Sequence, residues 1–158
     1  MSVQAVREYL EKFGFADRIR EFSESTATVE LAAAVVGVIP ARIAKTLSFR
    51  VHEDVILIVA AGDAKIDNRK YKDKFGAKAK MLSAEEAIEL VGHPVGGVCP
   101  FAVKDGVTVY LDESLKRFET VFPAAGSAGS AVEFSCEELF ECSQAAEWLD
   151  VCKIPEVL

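Results

Sequence analysis

The stretch Ile43-Ala-Lys-Thr-Leu-Ser-Phe-Arg-Val-His-Glu-Asp-Val-Ile-Leu-Ile-Val-Ala60, IAKTLSFRVHEDVILIVA, decides how the chain is read. Two runs rich in branched and aromatic residues flank His52-Glu53-Asp54. That pattern predicts strands over Ile43–Val51 and Val55–Ala60, joined as an antiparallel hairpin. Strand alternation puts Ile43, Lys45, Leu47 and Phe49 on one face, and Ala44, Thr46, Ser48 and Arg50 on the other. The apolar face therefore carries a lysine. Either Lys45 lies at the rim and extends its ammonium to water along an apolar stem, or the face opens into a pocket. A buried ammonium persists only where something pairs with it, so the second reading implies a carboxylate or an anionic ligand.

On the N-terminal side, Val3, Val6, Leu10 and Phe13 form one stripe of a helix that stops at Gly14. A second helix is predicted after the cap candidates Ser25 and Thr26, through TVELAAAVV to Gly37. Beyond the hairpin, a charged helix over Asn68–Phe75 ends at Gly76, and a short strand is expected near Ala79–Leu82. Ser83-Ala-Glu-Glu86 has capping-box spacing and opens a helix that ends at Gly92. VCPFAV and VTVYL flank Lys104-Asp105-Gly106 and predict a second hairpin. Phe118–Ala124 and Ala131–Phe134 read as strands around the glycine loop AAGSAGS. Ser135-Cys-Glu-Glu138 repeats the capping box and opens a last helix carrying Leu139, Phe140, Trp148 and Leu149. Helices and strands interleave and hairpins are frequent, which predicts an α/β chain of α+β type. The expected sheet is mixed, largely antiparallel, and surrounded by helices.

Composition narrows the class. With 158 residues, 51% hydrophobic and 27% charged, the chain reads as one compact domain over 1–158. No run approaches the ~18 apolar residues of a membrane span, and the acidic amphipathic start is unlike a signal peptide. Cys99, Cys136, Cys142 and Cys152 contain no CxxC pair, and only His52 and His93 could add to them, so neither a metal site nor a cofactor is expected. They suit reduced thiols in the cytoplasm, those of the C-terminal region as small buried residues. The net charge of −7 is uneven: Asp63–Lys80 carries +4, leaving −11 on the remainder. That basic segment, with Lys65, Arg69, Lys70 and Lys72, is either a solvated helix face or a contact for an RNA backbone. DNA is not expected as a partner.

The familiar catalytic strings are missing: no GxSxG elbow, HExxH helix, Walker loop or strand-linked GxGxxG. An enzyme built from this inventory catalyses an easy reaction or one assisted by its substrate. Besides Lys45, the loop Gly96-Gly97-Val98-Cys99-Pro100 is a candidate, since paired glycines bring backbone N–H groups close to a ligand oxygen. A plain loop reads the same way. Gly126 and Ser127 belong to a tight connection or a ligand turn, and Asp112 is a site carboxylate, a turn residue or a helix cap.

Taken in order, ELAAAVVGVIPARIAKTLSF, AAGDAKIDNRKYKDKFGAKAK, VGHPVGGVCPF and VYLDESLKRFETVFPAAGS resemble the YbaK/EbsC family. These are freestanding relatives of the editing domain of bacterial prolyl-tRNA synthetases. The resemblance covers about residues 28–139 and implies a partly barrel-like sheet and hydrolysis, in trans, of mischarged aminoacyl-tRNA. The implied substrate is tRNA(Pro) carrying a small wrong amino acid, with a synthetase, prolyl-tRNA synthetase, as a possible partner. The family's essential lysine falls on Lys45, its GxxxP loop on Gly96 and Pro100, its aspartate on Asp112 and its late glycine turn on Gly126. Gly97 would join Lys45 and Gly96 in catalysis, and Thr46, Val98, Phe101 and Ser127 would join the substrate contacts. Two positions depart from the family pattern: Cys99, where serine is common, and Ala102, where glycine is common. Both are expected to line the amino-acid pocket. A noncatalytic binder of the tRNA 3′ end and a small-molecule esterase remain as alternatives.

Overall fold

The computed structural model describes residues 2–94 and 96–155. Helix α1 (Ser2–Glu11) buries Val6 and Leu10 and is followed by the short strand β1 (Arg20–Glu21). Helix α2 (Val29–Val36) is capped by Thr28, whose hydroxyl accepts from Leu31 N, and ends at Gly37 in the left-handed region. The true cap lies two residues beyond Thr26, which is drawn away by a tertiary partner described below.

Strands β2 (Ile43–Val51) and β3 (Asp54–Ala61) form the predicted hairpin, with Lys45 opposite Ala60 and Val51 opposite Asp54. His52 sits at φ +55 in the two-residue turn, the backbone sign that matches the twist of the flanking strands. Next come β4 (Lys65–Ile66), α3 (Asn68–Phe75) and α4 (Ala84–Glu86). The Ser83–Glu86 capping box forms as read, and α4 continues as a π-helical turn over Ala87–Val91 to Gly92. The remaining elements are β5 (Val107–Asp112), β6 (Thr120–Pro123), β7 (Ser130–Ala131), β8 (Phe134–Ser135), α5 (Cys136–Ser143), β9 (Glu147–Leu149) and β10 (Cys152–Lys153).

The main sheet is mixed, in the order β8-β6-β2-β3-β5-β9, and curls into a half-barrel. β2–β3 and β6–β8 are antiparallel, whereas β2–β6, β3–β5 and β5–β9 are parallel. Parallel pairing needs a crossover, and the segment carrying α3 and α4 supplies the one from β3 to β5. β3 is accordingly buried on both faces from Ile56 to Ala61. On one side, Tyr71 of α3 lies 5.2 Å from Phe49 and 4.8 Å from Phe75, ring centre to ring centre.

Three local expectations give way to tertiary structure. The second hairpin is absent, because 98–103 is not a strand: Ala102 adopts φ +53, which breaks the extended run. That positive φ also accounts physically for glycine at the corresponding family position. The last helix stops at Ser143, with Gln144 at φ +54, so Trp148 and Leu149 lie in β9 and not on a helical stripe. The segment expected as a strand over Ala79–Leu82 makes a single bridge, Met81 to Phe49.

Candidate active site

Among the described residues, the outer edge of β2 is covered at both ends and open in the middle. Ile43 and Ala44 pair with Phe122 and Pro123 of β6. Further along, Leu82 N donates to Ser48 O (3.1 Å) and Arg50 N donates to Lys80 O (2.9 Å). Between these two coverings, Lys45, Thr46 and Leu47 face a cavity of about 280 Å³. Because it opens at a strand edge, the cavity touches residues from both faces of β2, Lys45 as well as Thr46 and Ser48. Its walls are Thr26, Ala27 and Ala32 from the α2 region, Met81–Ser83 and Ala87 opposite, and Phe122, Ala124, Ser130 and Ala131 below. Gly96 and Val98 close it. Among the described residues the lining is largely small and apolar, with hydroxyls as its main polar side chains and Lys45 as its one charge.

Lys45 answers the question posed by its position. Its Nζ donates to the main-chain carbonyls of Ala64 and Gly62, the latter at 3.3 Å. An ammonium carries three N–H donors, so one is left for the cavity. Burial holds this amine below the ordinary lysine value, outweighing the pull of Cys152, Asp63 and Glu30. The side chain is half-buried and anchored, not trailing into water.

Strand alternation extends the account to Thr46. Ser48 and Arg50 direct their backbone polar groups to the outer edge, so Thr46, two residues earlier, directs its N–H and C=O the same way, into the gap. Its Oγ1 is buried with no hydrogen-bond partner among the described residues. A buried orphan hydroxyl is costly unless a ligand satisfies it.

The two glycine loops, read separately in sequence, interlock. A Cβ on Gly97 would lie 2.6 Å from Ser127 N and Cα, so only glycine lets the backbones meet. Gly96 adopts φ +87 and packs on Ala27 and Ala128. Ser130 Oγ ties the far side together, accepting from Ala125 N (3.0 Å) and donating to Ser127 O (3.1 Å). Thr26 Oγ1 accepts from Ser130 N (3.1 Å), which is the partner that removes Thr26 from capping α2. The N–H of Gly97 is already committed to Pro94 O at 3.0 Å. It is unavailable to a ligand, and Gly97 serves by shape, while Gly96 and Val98 line the cavity.

Other candidates sit elsewhere. Cys99 is fully buried, its Sγ 3.6 Å from His93 Nε2, and burial pushes its thiol up to about 12. Neither it nor Ala102 lines the cavity, so both departures from the family pattern lie behind the loop wall and not in the pocket. Pro100 is buried, and Phe101 packs edge-on to Phe134 at 5.5 Å in the core. Asp112, 2% exposed, accepts from Ser114 N (2.9 Å) and Val151 N (3.0 Å), holding a short helix and the C-terminal segment. Gly126 and Ser127 back the loop wall without entering the cavity. The residues missed from sequence, Thr26, Ser48, Ser83 and Ser130, carry hydroxyls, and only Ser48 could have been found, by its parity with Thr46. Among the described residues no three His, Cys, Asp or Glu side chains converge as a metal site would require, and no helix is long and apolar enough to cross a membrane.

The sequence profile of the aminoacyl-tRNA editing domain matches residues 23–142. The chain belongs to that family. This editing domain is 54% identical over 154 residues to the uncharacterized protein YwhH of Bacillus subtilis (strain 168), covering 97% of this chain and 98% of that one. It is 32% identical over 103 residues to the proline–tRNA ligase of Lysinibacillus sphaericus (strain C3-41), covering 65% of this chain but only 18% of the ligase. Among solved structures, a candidate trans-editing enzyme for prolyl tRNA synthetase superposes with a TM-score of 0.87 at 29% identity, over 96% of this chain and 97% of that one. The hypothetical protein APE2540 superposes with a TM-score of 0.84 at 31% identity, over 94% and 99% of the two chains. The editing domain thus has the fold and sequence kinship that the YbaK/EbsC resemblance implied.

Proposed function

We propose that this editing domain is a trans-acting aminoacyl-tRNA deacylase of the cytoplasm, hydrolysing the ester of a mischarged tRNA, most naturally tRNA(Pro) bearing a small wrong amino acid. The observation that carries the reading is the anchored lysine with one N–H left over, set in a small, mostly apolar cavity at an open strand edge. Lys45 is the fixed cation for the terminal phosphate or the ester region. Thr46 supplies its unpartnered hydroxyl and its outward main-chain groups to the aminoacyl moiety. The N–H groups of Gly96 and Val98 stabilise the oxyanion formed when water attacks the ester carbonyl, an effect of about 2.7–4 kcal/mol per donor in comparable sites. The bond between the carbonyl carbon and the ribose oxygen then breaks, and the ribose hydroxyl and a free amino acid leave. Among the described residues the cavity wall contains no histidine or carboxylate, so the water's proton passes to the substrate's own α-amine and from there to the departing ribose oxygen. An ester is already reactive toward water, which makes that sufficient.

Selection is steric. A cavity of about 280 Å³ walled by alanines favours alanine, cysteine or serine over larger residues, although one methylene is worth only about 1–3 kcal/mol. The test is amino-acid release from tRNA(Pro) and other tRNAs charged with alanine, cysteine and serine. Lys45→Ala should lower kcat/KM by on the order of 10²-fold or more with the circular dichroism spectrum unchanged. Inactivity of the wild type across the panel would leave a noncatalytic binder of the tRNA 3′ end or a small-molecule esterase.

A further inference from the structure

Helix α3 uses its cations unevenly. Lys70 Nζ lies 3.0 Å from Asp150 Oδ1 and Lys74 Nζ lies 2.8 Å from Glu147 Oε1. Arg69 and Lys72, on another flank of the same helix, enter none of the ion pairs formed among the described residues. With Asn68, Lys78 and Ala79 they line a concavity of about 530 Å³ whose wall has no carboxylate among the described residues. The neighbouring acids are engaged or outside it. Asp67 caps α3, Asp63 is held by Arg117 at 2.6 Å, and Asp73 does not line the concavity.

One short stretch of chain joins this basic concavity to the cavity beside Lys45. Ala79 lines the one and Met81 the other, two residues apart, or about 7 Å of extended chain. The joining segment is held in place by the Lys80 and Leu82 hydrogen bonds to β2.

We propose that the concavity is the track for the phosphodiester backbone of the substrate RNA as it runs away from the terminal nucleotide held at Lys45. The identity of the RNA rests on the deacylase reading, while the track rests on charge and continuity. Arg69 offers a planar fork to phosphate oxygens, and Lys72 and Lys78 act as point charges. Contacts of this kind position the strand without reading its sequence. They give an acidic protein of net charge −7 a local foothold on a polyanion.

The test compares two double variants of one helix with the same change in charge, Arg69→Gln/Lys72→Gln and Lys70→Gln/Lys74→Gln. Binding of uncharged tRNA(Pro) is titrated at several salt concentrations. The first pair should weaken binding about tenfold or more at 0.1 M salt and make the slope of log affinity against log salt shallower by about 2. The second should change affinity less than twofold. Equal weakening by both pairs, or none by the first, would overturn the track. The deacylase reading is judged separately, by release from charged tRNA. A wild type that binds through Arg69 and Lys72 yet releases nothing sinks that reading and leaves the track standing.

Discussion

Lys45 and Asp112 are both charged residues in half-buried or buried strands, and their partners separate them. Lys45 bonds two carbonyls and keeps a donor for the cavity. Asp112 accepts from two backbone N–H groups and does not line the cavity beside Lys45, so both of its oxygens are spent on the fold. Removing it orphans one buried and one part-buried donor. Asp112→Ala should therefore destabilise the protein by about 2–3 kcal/mol in urea unfolding, with Asp112→Asn, which keeps one acceptor, losing less. KM and kcat of the folded fraction should stay within about twofold of wild type. A collapse of kcat with stability intact would instead make Asp112 a site carboxylate. No feature of the sequence distinguished these roles, because the partner Val151 is 39 residues away.

At the level of elements, the site depends on two loops that touch, and the fold on a helix whose start is pinned. Gly97→Ala would force its Cβ against the Ser127 backbone at 2.6 Å. The loop must retreat, which should cost about 1–3 kcal/mol and move Gly96 and Val98 away from the ester, lowering kcat more than it raises KM. An unchanged kcat would show that this wall does not touch the reaction. At α5, Glu138 closes the capping box and accepts a fork from Arg18, both bonds at 2.8 Å. That pair holds the Glu138 carboxyl down at about 2, from an ordinary 4.5. A depressed carboxylate contributes stability that is fully present above the unfolded value and is lost as pH falls from about 4.5 through about 2. Glu138→Gln should cost about 1 kcal/mol at neutral pH, as befits a partly exposed pair. It should also flatten the acid limb of a stability-versus-pH curve; an unaltered limb would locate acid sensitivity elsewhere.

Taken whole, the molecule separates its chemistry by depth. Thiols go inward: Cys99, Cys142 and Cys152 are buried, and desolvation pushes each up to about 12. Cys136 is half-buried and also raised. None presents a thiolate at neutral pH, which argues against a cysteine nucleophile and against regulation by surface oxidation. A thiol-specific disulfide reagent should react with the native protein over hours, beginning at Cys136, and with all four cysteines within minutes in guanidinium. Rapid labelling of native Cys99 would contradict the packing described. Cations other than the half-buried Lys45 stay largely outside, and Arg69 and Lys72 of α3 line a concavity of their own. Under the RNA track proposed above, the acidic remainder repels the polyanion and confines its approach to one face.

Local signals in the sequence determined the hairpin of β2 and β3, both capping boxes, the limits of α2 and α3 at Gly37 and Gly76, and the anomaly of a lysine on an apolar face. Each depends on residues a few positions apart, where alternation, capping and positive φ act without help from the rest of the chain. The four family fragments added the kind of domain. Tertiary structure alone decided that β2 is left open between β6 and Lys80–Leu82, and that the Gly97 N–H is already taken. It likewise sent Cys99 to the core, assigned Asp112 to Val151, and ended the last helix before Trp148. Those outcomes turn on which distant backbone arrives to satisfy a donor or fill a space, and chain connectivity carries no local trace of that.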